Sequence, residues 1–356
     1  MTDFLVKRDD LRDCRVAESD VPEIDSGQAL LRVHTFGLTA NNVTYAVFGD
    51  AMHYWDFFPA ADGWGRLPMW GFAEVEQSNA EDVEPGTRLY GYLPSSSHLV
   101  VTPTRAGEGS FVDASPHRAA LPSAYHRYLA TGADPFYAAD TEAMQMLLRP
   151  LFFTSFLIDD QLADEGLTAR GPIVIASASS KTAIAAAFLL AQREEVELIG
   201  LTSPGNVAFV EGLGIYDRAV AYDAISSLDA APATFVDIAG DGDVRRAVHT
   251  HYGDELVHSV AVGMTHWEAL RAGAGELPGP PPRFFFAPDR VVKRSRDWGR
   301  LELETRVADA WHPFCEWIAG WLEPIPGEGF EAVRDAYVDV LEGRVEPARA
   351  HVLTLT

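Results

Sequence analysis

The sequence predicts an α/β protein in which a doubly wound parallel sheet accompanies a β-rich domain. The segment Ile173–Gln192, IVIASASSKTAIAAAFLLAQ, passes from a short apolar run through a small polar turn into an Ala-rich helical pattern. Apolar runs and helical patterns alternate through residues 171–287, whereas Pro, Gly and Asp interrupt short strands at close intervals over residues 1–105. Regular alternation is typical of a parallel sheet with helices on both faces, and closely interrupted strands are typical of a β-rich domain.

Six strands are predicted for the parallel sheet, one in each apolar run. They are Ile173–Ala176, Glu197–Leu201, Arg218–Ala221, Thr234–Ile238, Leu256–Val262 and Phe284–Ala287. The helix between the first two carries apolar side chains at i, i+3, i+4 and i+7, which is the spacing of one helix face. These side chains are Ile184, Ala187, Phe188 and Ala191.

The rest of the chain is predicted to form the β-rich domain and its helices. The predicted strands are Ala29–His34, Arg88–Tyr92, Ser97–Thr102 and His351–Leu355, and the predicted helices are Thr141–Glu165, Leu301–Leu322 and Gly329–Leu341. We expect a β-rich domain over residues 1–150 and 295–356, and a doubly wound domain over residues 151–294. Residues 106–140 are predicted to be irregular, and the polar-aromatic run Tyr125–Tyr128 fits a surface loop or part of a substrate pocket.

Composition limits the classes of function. The chain has 356 residues, enough for two domains, and 47% of them are hydrophobic, so both domains can bury a core. A net charge of −24 argues against nucleic acid or an anionic membrane as the main partner. Two cysteines, no apolar run of membrane-spanning length and a charged first segment without a signal-peptide pattern predict a cytoplasmic protein.

The polar turn before the Ala-rich helix is the first candidate site. Ser179, Ser180, Lys181 and Thr182 bring hydroxyl groups and one ammonium to a helix N-terminus, where backbone N–H groups favour a phosphate. The alternative is that Ser-rich turns cap helices and that Lys181 is solvated. A lysine in the first helical turn opposes the helix dipole, so this residue favours an anion at the turn.

Two further strand ends carry polar residues. Thr202 and Ser203, with Asn206, follow the second strand, where an NAD site usually carries an acidic residue for the ribose hydroxyls. A small polar end favours NADP(H) over NAD(H); the alternative is an ordinary turn that starts a helix. Asp237 follows the fourth strand and fits either the cofactor crevice or a cap of the next turn.

A basic segment stands out in this acidic chain. Residues 283–300 contain six of the 28 basic residues: Arg283, Arg290, Lys293, Arg294, Arg296 and Arg300. One interpretation is a clamp for the extra phosphate of the cofactor or for an acidic substrate, with Lys293 and Arg294 as cofactor-binding residues. The other is a surface face that pairs with the abundant carboxylates.

Three stretches share their pattern with one enzyme superfamily. In Phe36–Asp50, small residues and Asn are followed by a Thr-Tyr pair and a Gly. Ile173–Asp223 has the pattern of a β-turn-α-β unit and ends in LGIYDRAVAYD. Phe330–Leu355 has the pattern of a closing helix and strand. Together they resemble the medium-chain dehydrogenase/reductase superfamily, nearest an uncharacterised side branch of its zinc-free, quinone-oxidoreductase-like members. The resemblance implies a GroES-like catalytic domain beside a Rossmann-like dinucleotide-binding domain.

The resemblance also implies an activity. The expected protein is a zinc-independent, NADP(H)-dependent oxidoreductase that transfers hydride to a carbonyl, enone or quinone-type small molecule. Tyr45 and Asn41 lie in the segment that faces the nicotinamide in such proteins, and a phenol there can donate to a developing oxyanion. The alternative for Tyr45 is a packed side chain in a β-barrel. The resemblance adds Thr154, Ser177 and Gly263 to the cofactor-binding candidates.

The chain departs from the superfamily at the turn itself. Ser177, Ser180 and Ala183 occupy the positions where three glycines are usual, so the alternative function is a catalytically inactive, nucleotide-sensing or structural member. No metal site is predicted, because the superfamily's zinc ligands have no match and the histidines near residue 250 lack ligand-spaced partners. The apolar run Phe284–Phe286 predicts a strand edge covered by a second copy, and hence a homodimer.

Overall fold

The computed structural model describes residues 1–107, 109–194, 196–262 and 277–355. The chain divides into two compact units, unit 1 (Met1–Arg149 with Trp317–Thr356) and unit 2 (Pro150–Glu316). The predicted fold class is confirmed, because unit 2 contains a parallel sheet with helices and unit 1 is rich in antiparallel strands.

The helices and strands are numbered along the chain. Up to the end of the long helix α2 they are β1 Thr2–Lys7, β2 Asp10–Glu18, β3 Ala29–Leu38, α1 Ala40–Val47, β4 Trp64–Arg66, β5 Pro68–Ser78, β6 Arg88–Pro94, β7 His98–Val101, β8 Pro103–Gly107, β9 Ser110–Asp113, β10 Arg127–Ala130 and α2 Glu142–Asp164. Unit 2 continues with β11 Ile173–Ala176, α3 Lys181–Leu190, β12 Leu198–Thr202, α4 Val207–Gly212, β13 Arg218–Ala221, β14 Ala233–Asp237, α5 Gly242–Tyr252, β15 Leu256–Ala261, β16 Arg283–Phe284, α6 Ala287–Asp297 and α7 Arg300–Ile318. The chain returns to unit 1 with β17 Glu323–Glu328, α8 Gly329–Leu341 and β18 Arg349–Thr354.

The sheet of unit 2 is parallel throughout its described strands, in the order β13-β12-β11-β14-β15-β16. Every residue of β11 and β12 is buried, which explains why these strands appear in the sequence as unbroken apolar runs. The chain builds outward from β11 through β12 to β13 and then resumes on the other side of β11 with β14. This reversal of strand order is the switch point at which open α/β sheets bind ligands.

Unit 1 is built around a mainly antiparallel sheet with the order β17-β18-β3-β5-β6-β10-β9-β8, in which β17 runs parallel to β18 and β7 also pairs with β3. The last strand, β18, lies between β17 and β3 and pairs with both. The sheet of unit 1 therefore contains strands from both parts of the chain that form this unit. Helix α8 packs on the same core. Its Tyr337 is fully buried, meets Phe4 edge to face at 5.3 Å and donates to the backbone oxygen of Leu11 at 2.9 Å.

The structure differs from the sequence prediction at several segments. Residues 106–140 were predicted to be irregular, but they contain the paired strands β9 and β10. Helix α1 interrupts the stretch predicted to be all β, because Thr39 caps its N-terminus and the Asn42 side chain bonds back to the Thr39 backbone. The predicted strand Phe284–Ala287 is shorter: β16 ends at Phe284, and Ala287 begins α6. Pro288, in the first turn of α6, favours a helix start there.

The return to unit 1 lies at Trp317, whereas the sequence analysis placed it at residue 295. Most of α7 therefore belongs to unit 2, where its aromatic side chains pack. Phe314 lies 4.8 Å from Phe152 of α2 and 5.3 Å from Phe188 of α3, measured between ring centroids, and Trp311 lies 5.2 Å from Phe152. No helix of the described residues is both long and apolar enough to span a bilayer.

Candidate functional site

The turn between β11 and α3 closes through a residue in the left-handed region. Ser177 has φ +58°, a conformation that costs most non-glycine residues about 1–2 kcal/mol. The Ser180 N–H donates to the Ser177 carbonyl oxygen at 2.7 Å, and the Ser177 N–H donates to the Tyr222 hydroxyl at 3.2 Å. The same hydroxyl lies 3.4 Å from Ser177 Oγ, so Tyr222 holds the strained residue at two atoms.

Helix α3 starts directly after this turn. Ser180 is its N-cap, and Ser180 Oγ accepts from the Ala183 N–H at 3.3 Å. Ala183 is fully buried, so a small side chain preserves the close packing that a third glycine provides elsewhere. Where the turn faces β12, a Cβ added to Gly200 would lie 2.9 Å from the Cβ of Ala178. The turn is therefore pressed against the neighbouring strand.

A polar cluster lies beside the turn, where β11 and β12 end. Ser179 Oγ lies 3.3 Å from Thr202 Oγ1, and Asn206 Nδ2 donates to Ser179 Oγ at 3.2 Å. Thr202 is the last residue of β12, and Ser203 precedes the short 3₁₀ turn that contains Asn206. The structure thus brings together Ser179, Thr202 and Asn206, which the sequence analysis had proposed for cofactor binding.

Lys181 is the first residue of α3, and Thr182 follows it; both are half-buried. Burial disfavours the charged ammonium and lowers the pKa of Lys181 to about 8. A bound anion would reverse this effect, because it would stabilise the charged form. Ser155 Oγ of α2 lies 2.8 Å from the Thr182 carbonyl oxygen and fixes this first helical turn against α2.

Two other candidates have structural partners. Asp237 is 1% exposed and accepts from the Gly240 N–H at 2.9 Å and from Arg245 Nε at 2.9 Å. It therefore caps the turn after β14, as one of the two sequence interpretations proposed. Thr154 Oγ1 donates to the Pro150 carbonyl oxygen at 3.1 Å within α2. The candidate Gly263 lies outside the described residues.

The basic segment is paired with carboxylates of α2. Arg294 Nε donates to Asp160 Oδ2 at 2.8 Å, and Arg294 Nη2 lies 2.9 Å from Asp164 Oδ1. Lys293 Nζ lies 3.1 Å from Asp164 Oδ2 and 2.7 Å from Asp297 Oδ2. Arg290 donates to Asp164 at 3.0 Å, and these hydrogen bonds lower the pKa of that carboxyl. At Lys293 and Arg294 the structure therefore favours ion pairing between helices over a phosphate clamp.

In unit 1 the structure brings the two proposed catalytic residues together. Tyr45 of α1 is 6% exposed, and its hydroxyl accepts from Trp70 Nε1 at 3.3 Å. Burial raises the pKa of Tyr45, while hydrogen bonds from Trp70 and from the Asn41 side chain partly offset this rise. Tyr45 is thus a neutral phenol at physiological pH, and its hydroxyl can donate a hydrogen bond.

Tyr45 belongs to a larger group of rings that we call the aromatic cluster. Its members are Tyr45, Tyr54, Phe57, Phe58, Trp70, Tyr92 and Tyr125. Ring centroids are 4.6 Å apart for Tyr45 and Tyr54, 4.7 Å for Tyr92 and Tyr125, and 5.0 Å for Trp70 and Tyr92. Tyr54, Trp70 and Tyr125 are half-buried, so the cluster presents apolar rings with hydroxyl groups at its edge.

The sequence analysis missed one feature in each unit: Tyr222 in unit 2 and the aromatic cluster in unit 1. Tyr222 follows the end of β13, and because parallel strands end at the same edge, its position after an apolar run was a signal for proximity to the turn. The aromatic cluster had no such signal, since its members come from five separate segments of the chain. Of the run Tyr125–Tyr128, which fitted a surface loop, the structure buries His126 and Tyr128.

The fold of the two units is shared with solved oxidoreductase structures, which are described below. The chain belongs to the family described as "Protein of unknown function (DUF2855)", whose match covers residues 36–346. The sequence matches no curated protein. Among the described residues, no group of three or more His, Cys, Asp or Glu side chains is placed to hold a metal ion.

Several solved structures share this fold at low sequence identity. CurA from Vibrio vulnificus, in complex with NADPH, is 15% identical, with a TM-score of 0.58 and coverage of 100% of this chain and 99% of that one. The yhdH oxidoreductase from Salmonella enterica, in complex with NADP, is 14% identical, with a TM-score of 0.57 and full coverage of both chains. The quinone oxidoreductase from Coxiella burnetii is 13% identical, with a TM-score of 0.58 and coverage of 100% and 99%.

Replacement of Ser177 by glycine tests the strain at the turn. Ser177→Gly should raise the free energy of unfolding by up to about 1 kcal/mol, because relief of the left-handed conformation outweighs the entropy that glycine adds to the unfolded chain. Ser177→Ala keeps the strain and loses the hydroxyl, so it should destabilise. The control Ser203→Gly, at φ −66°, should also destabilise. Thermal unfolding of the variants in parallel measures their relative stabilities. Equal melting temperatures for Ser177→Gly and Ser177→Ala would contradict the argument.

Proposed function

We propose that the chain is a zinc-independent, NADP(H)-dependent oxidoreductase that transfers hydride to a carbonyl, enone or quinone-type small molecule. The observation that carries the proposal is the turn between β11 and α3, at the switch point of the parallel sheet. There Lys181, the hydroxyls of Ser179 and Thr202, and the amide of Asn206 lie at the N-terminus of a buried helix. These groups fit a phosphate-bearing ligand, since they combine hydrogen-bond donors with one titratable ammonium. The fold it shares with CurA, crystallised with NADPH, and with the yhdH oxidoreductase, crystallised with NADP, supports the same cofactor.

The end of β12 favours NADP(H) over NAD(H). Where an NAD site usually carries a carboxylate for the ribose hydroxyls, this chain has Thr202, Ser203 and Asn206. A carboxylate would repel a 2′-phosphate, whereas small polar side chains leave room for it and can donate hydrogen bonds. Lys181 would add an opposite charge at the same end of the sheet.

The chemistry we propose for the chain's own residues centres on Tyr45. When bound, NADPH supplies the hydride that the substrate carbon accepts. The Tyr45 hydroxyl would donate to the substrate oxygen as that oxygen gains negative charge, and Trp70 and Asn41 would hold the hydroxyl in position. The reduced substrate then takes a proton from solvent or from this hydroxyl. No metal ion is needed for the step, because a hydrogen-bond donor takes the place of a Lewis acid.

A second candidate function is nucleotide sensing by a protein that no longer catalyses a reaction. It is favoured by the hydrogen bonds inside the turn. The backbone N–H groups of Ser177, Ser180 and Ala183 bond to Tyr222, to Ser177 and to Ser180, respectively. Fewer backbone donors are then left for a pyrophosphate than in a glycine-rich turn. This protein would bind the dinucleotide without reducing a substrate.

A reductase assay separates the two candidates. NADPH oxidation should be measured with benzaldehyde, cyclohexenone and menadione as probes of the carbonyl, enone and quinone classes. Tyr45→Phe should lower kcat by about 10²-fold with little change in KM, because it removes one oxyanion donor. Tyr90→Phe removes a hydroxyl that donates to the Gln145 carbonyl oxygen, outside this constellation, and should retain activity. Saturable NADPH binding with no oxidation by a broad panel of acceptors would favour the sensing function.

Lys181 makes cofactor binding depend on pH. The pKa of Lys181 is about 8, so its side chain carries a positive charge at lower pH and loses that charge as pH rises. NADPH affinity should therefore fall above about pH 8. Lys181→Arg should keep its charge and bind NADPH equally at about pH 7 and about pH 9. Lys181→Ala should bind about tenfold more weakly at neutral pH, because a charge-assisted hydrogen bond is lost. Titration calorimetry at both pH values measures these affinities; a wild-type affinity independent of pH would remove Lys181 from the site.

We also propose a homodimer formed through the edge strand β16. Phe284 and Phe286 are 39% and 49% exposed, and their rings stack at 6.1 Å. Exposed apolar rings at the end of an edge strand and just beyond it favour pairing with a second copy. Sedimentation velocity should therefore give a dimer at micromolar concentration, and Phe286→Asp should give a monomer. A wild-type monomer under these conditions would refute the assembly without affecting the proposed reaction.

A further inference from the structure

The Tyr222 side chain links the outer strand of the parallel sheet to the turn between β11 and α3. Tyr222 follows β13 directly, whereas Ser177 follows β11, and β12 lies between these two strands. The Tyr222 hydroxyl oxygen is 3.2 Å from the Ser177 nitrogen, so the side chain extends across the carboxyl end of β12. The hydroxyl therefore joins the ends of two strands that β12 separates.

This hydroxyl makes two hydrogen bonds to Ser177. It accepts from the Ser177 N–H at 3.2 Å, and it donates to Ser177 Oγ at 3.4 Å, the longer and weaker of the two bonds. A hydroxyl group has one proton to donate and lone pairs to accept with, so both bonds can form together. Loss of the hydroxyl would therefore release the backbone and the side chain of Ser177 at once.

Ser177 needs such support because its backbone conformation is unfavourable for serine. With φ +58° it lies in the left-handed region, which glycine enters freely and which costs serine free energy. A serine without these hydrogen bonds has more favourable conformations at negative φ. The bonds from Tyr222 favour the left-handed conformation, and so they replace the glycine that a dinucleotide-binding turn usually has.

The conformation of Ser177 determines where α3 begins. The Ser177 carbonyl oxygen accepts from the Ser180 N–H at 2.7 Å, and Ser180 is the N-cap of α3. Between these two residues, Ser179 Oγ lies 3.3 Å from Thr202 Oγ1. A rotation at Ser177 would move its carbonyl group, and with it the N-cap and the Ser179 hydroxyl. The position of these groups therefore depends on a hydrogen bond from outside the turn.

We propose that Tyr222 is a positioning residue for cofactor binding and that it acts through Ser177. The inference rests on the proposed function, because that function assigns the cofactor to the turn between β11 and α3. Without the Tyr222 hydroxyl, only a fraction of the molecules would have the turn in its binding form. The apparent affinity for NADPH would fall by that fraction.

A double-mutant cycle on the full chain tests this role. Tyr222→Phe keeps the ring and removes the hydroxyl, so it should weaken NADPH binding about fivefold, as measured by titration calorimetry. In the Ser177→Gly chain the same change should weaken binding less than about twofold, because glycine adopts the left-handed conformation without support. This rescue separates an action through Ser177 from a general loss of structure.

Tyr337→Phe is the matched control. It also removes a tyrosine hydroxyl that has a backbone partner, the Leu11 carbonyl oxygen at 2.9 Å, but it does so in unit 1. It should lower the melting temperature and leave NADPH affinity unchanged. A parallel loss of affinity in this variant would show that destabilisation alone weakens binding, which would overturn the role of Tyr222.

Two further results would overturn the proposal. Equal losses of affinity from Tyr222→Phe in the wild-type and Ser177→Gly chains would show that Tyr222 contacts the cofactor directly. An unchanged affinity in the wild-type background would show that the hydroxyl is purely structural.

The failure of the proposed function would give a different result, namely a wild-type chain that does not bind NADPH. The same cycle is then measured as melting temperatures. A smaller fall from Tyr222→Phe in the Ser177→Gly chain than in the wild-type chain would support the action of Tyr222 on the turn, and equal falls would overturn it.

Discussion

The connection between β11 and α3 has to reverse the chain between two elements that are both buried. All of β11 lies inside the sheet, and Ala183–Leu190 of α3 is buried on every side, so neither element can shift to relax the turn between them. The left-handed Ser177 meets this constraint without glycine, and Tyr222 holds it from the end of β13. The position of the helix N-terminus depends on this turn, and so do the polar groups placed at the end of β12. The cofactor site that we propose is a consequence of how the central strand leaves the sheet.

Much of the fold was predictable because its elements are buried in a simple way. The strands Ile173–Ala176 and Arg218–Ala221 were predicted with the bounds that the structure shows, since short apolar runs between turns mark the strands of a parallel sheet. The helix Ala40–Val47 was not predicted, because it rests on a cap at Thr39 within a segment of Asn, Thr and Tyr that favours no single element. The return to unit 1 was placed too early, because the packing of Phe314 on α2 and α3 leaves no trace in local sequence.

The candidate site was predictable only where topology alone brings residues together. Ser179, Thr202 and Asn206 meet because parallel strands end at one edge of the sheet, and strand order follows from the alternating pattern. Lys293 and Arg294 were assigned to a phosphate because the sequence shows their charge and not their partners, Asp160 and Asp164, which lie about 130 residues earlier in the chain. The same limit hid the aromatic cluster.

The claim that this turn binds a dinucleotide without its glycines is tested most directly by titration calorimetry of the full chain with NADPH and with NADH. The account predicts saturable binding of NADPH that is tighter than that of NADH by about tenfold or more, since a 2′-phosphate adds charge-assisted hydrogen bonds at the end of β12. Absence of heat with either dinucleotide at millimolar concentration, or tighter binding of NADH, would contradict it.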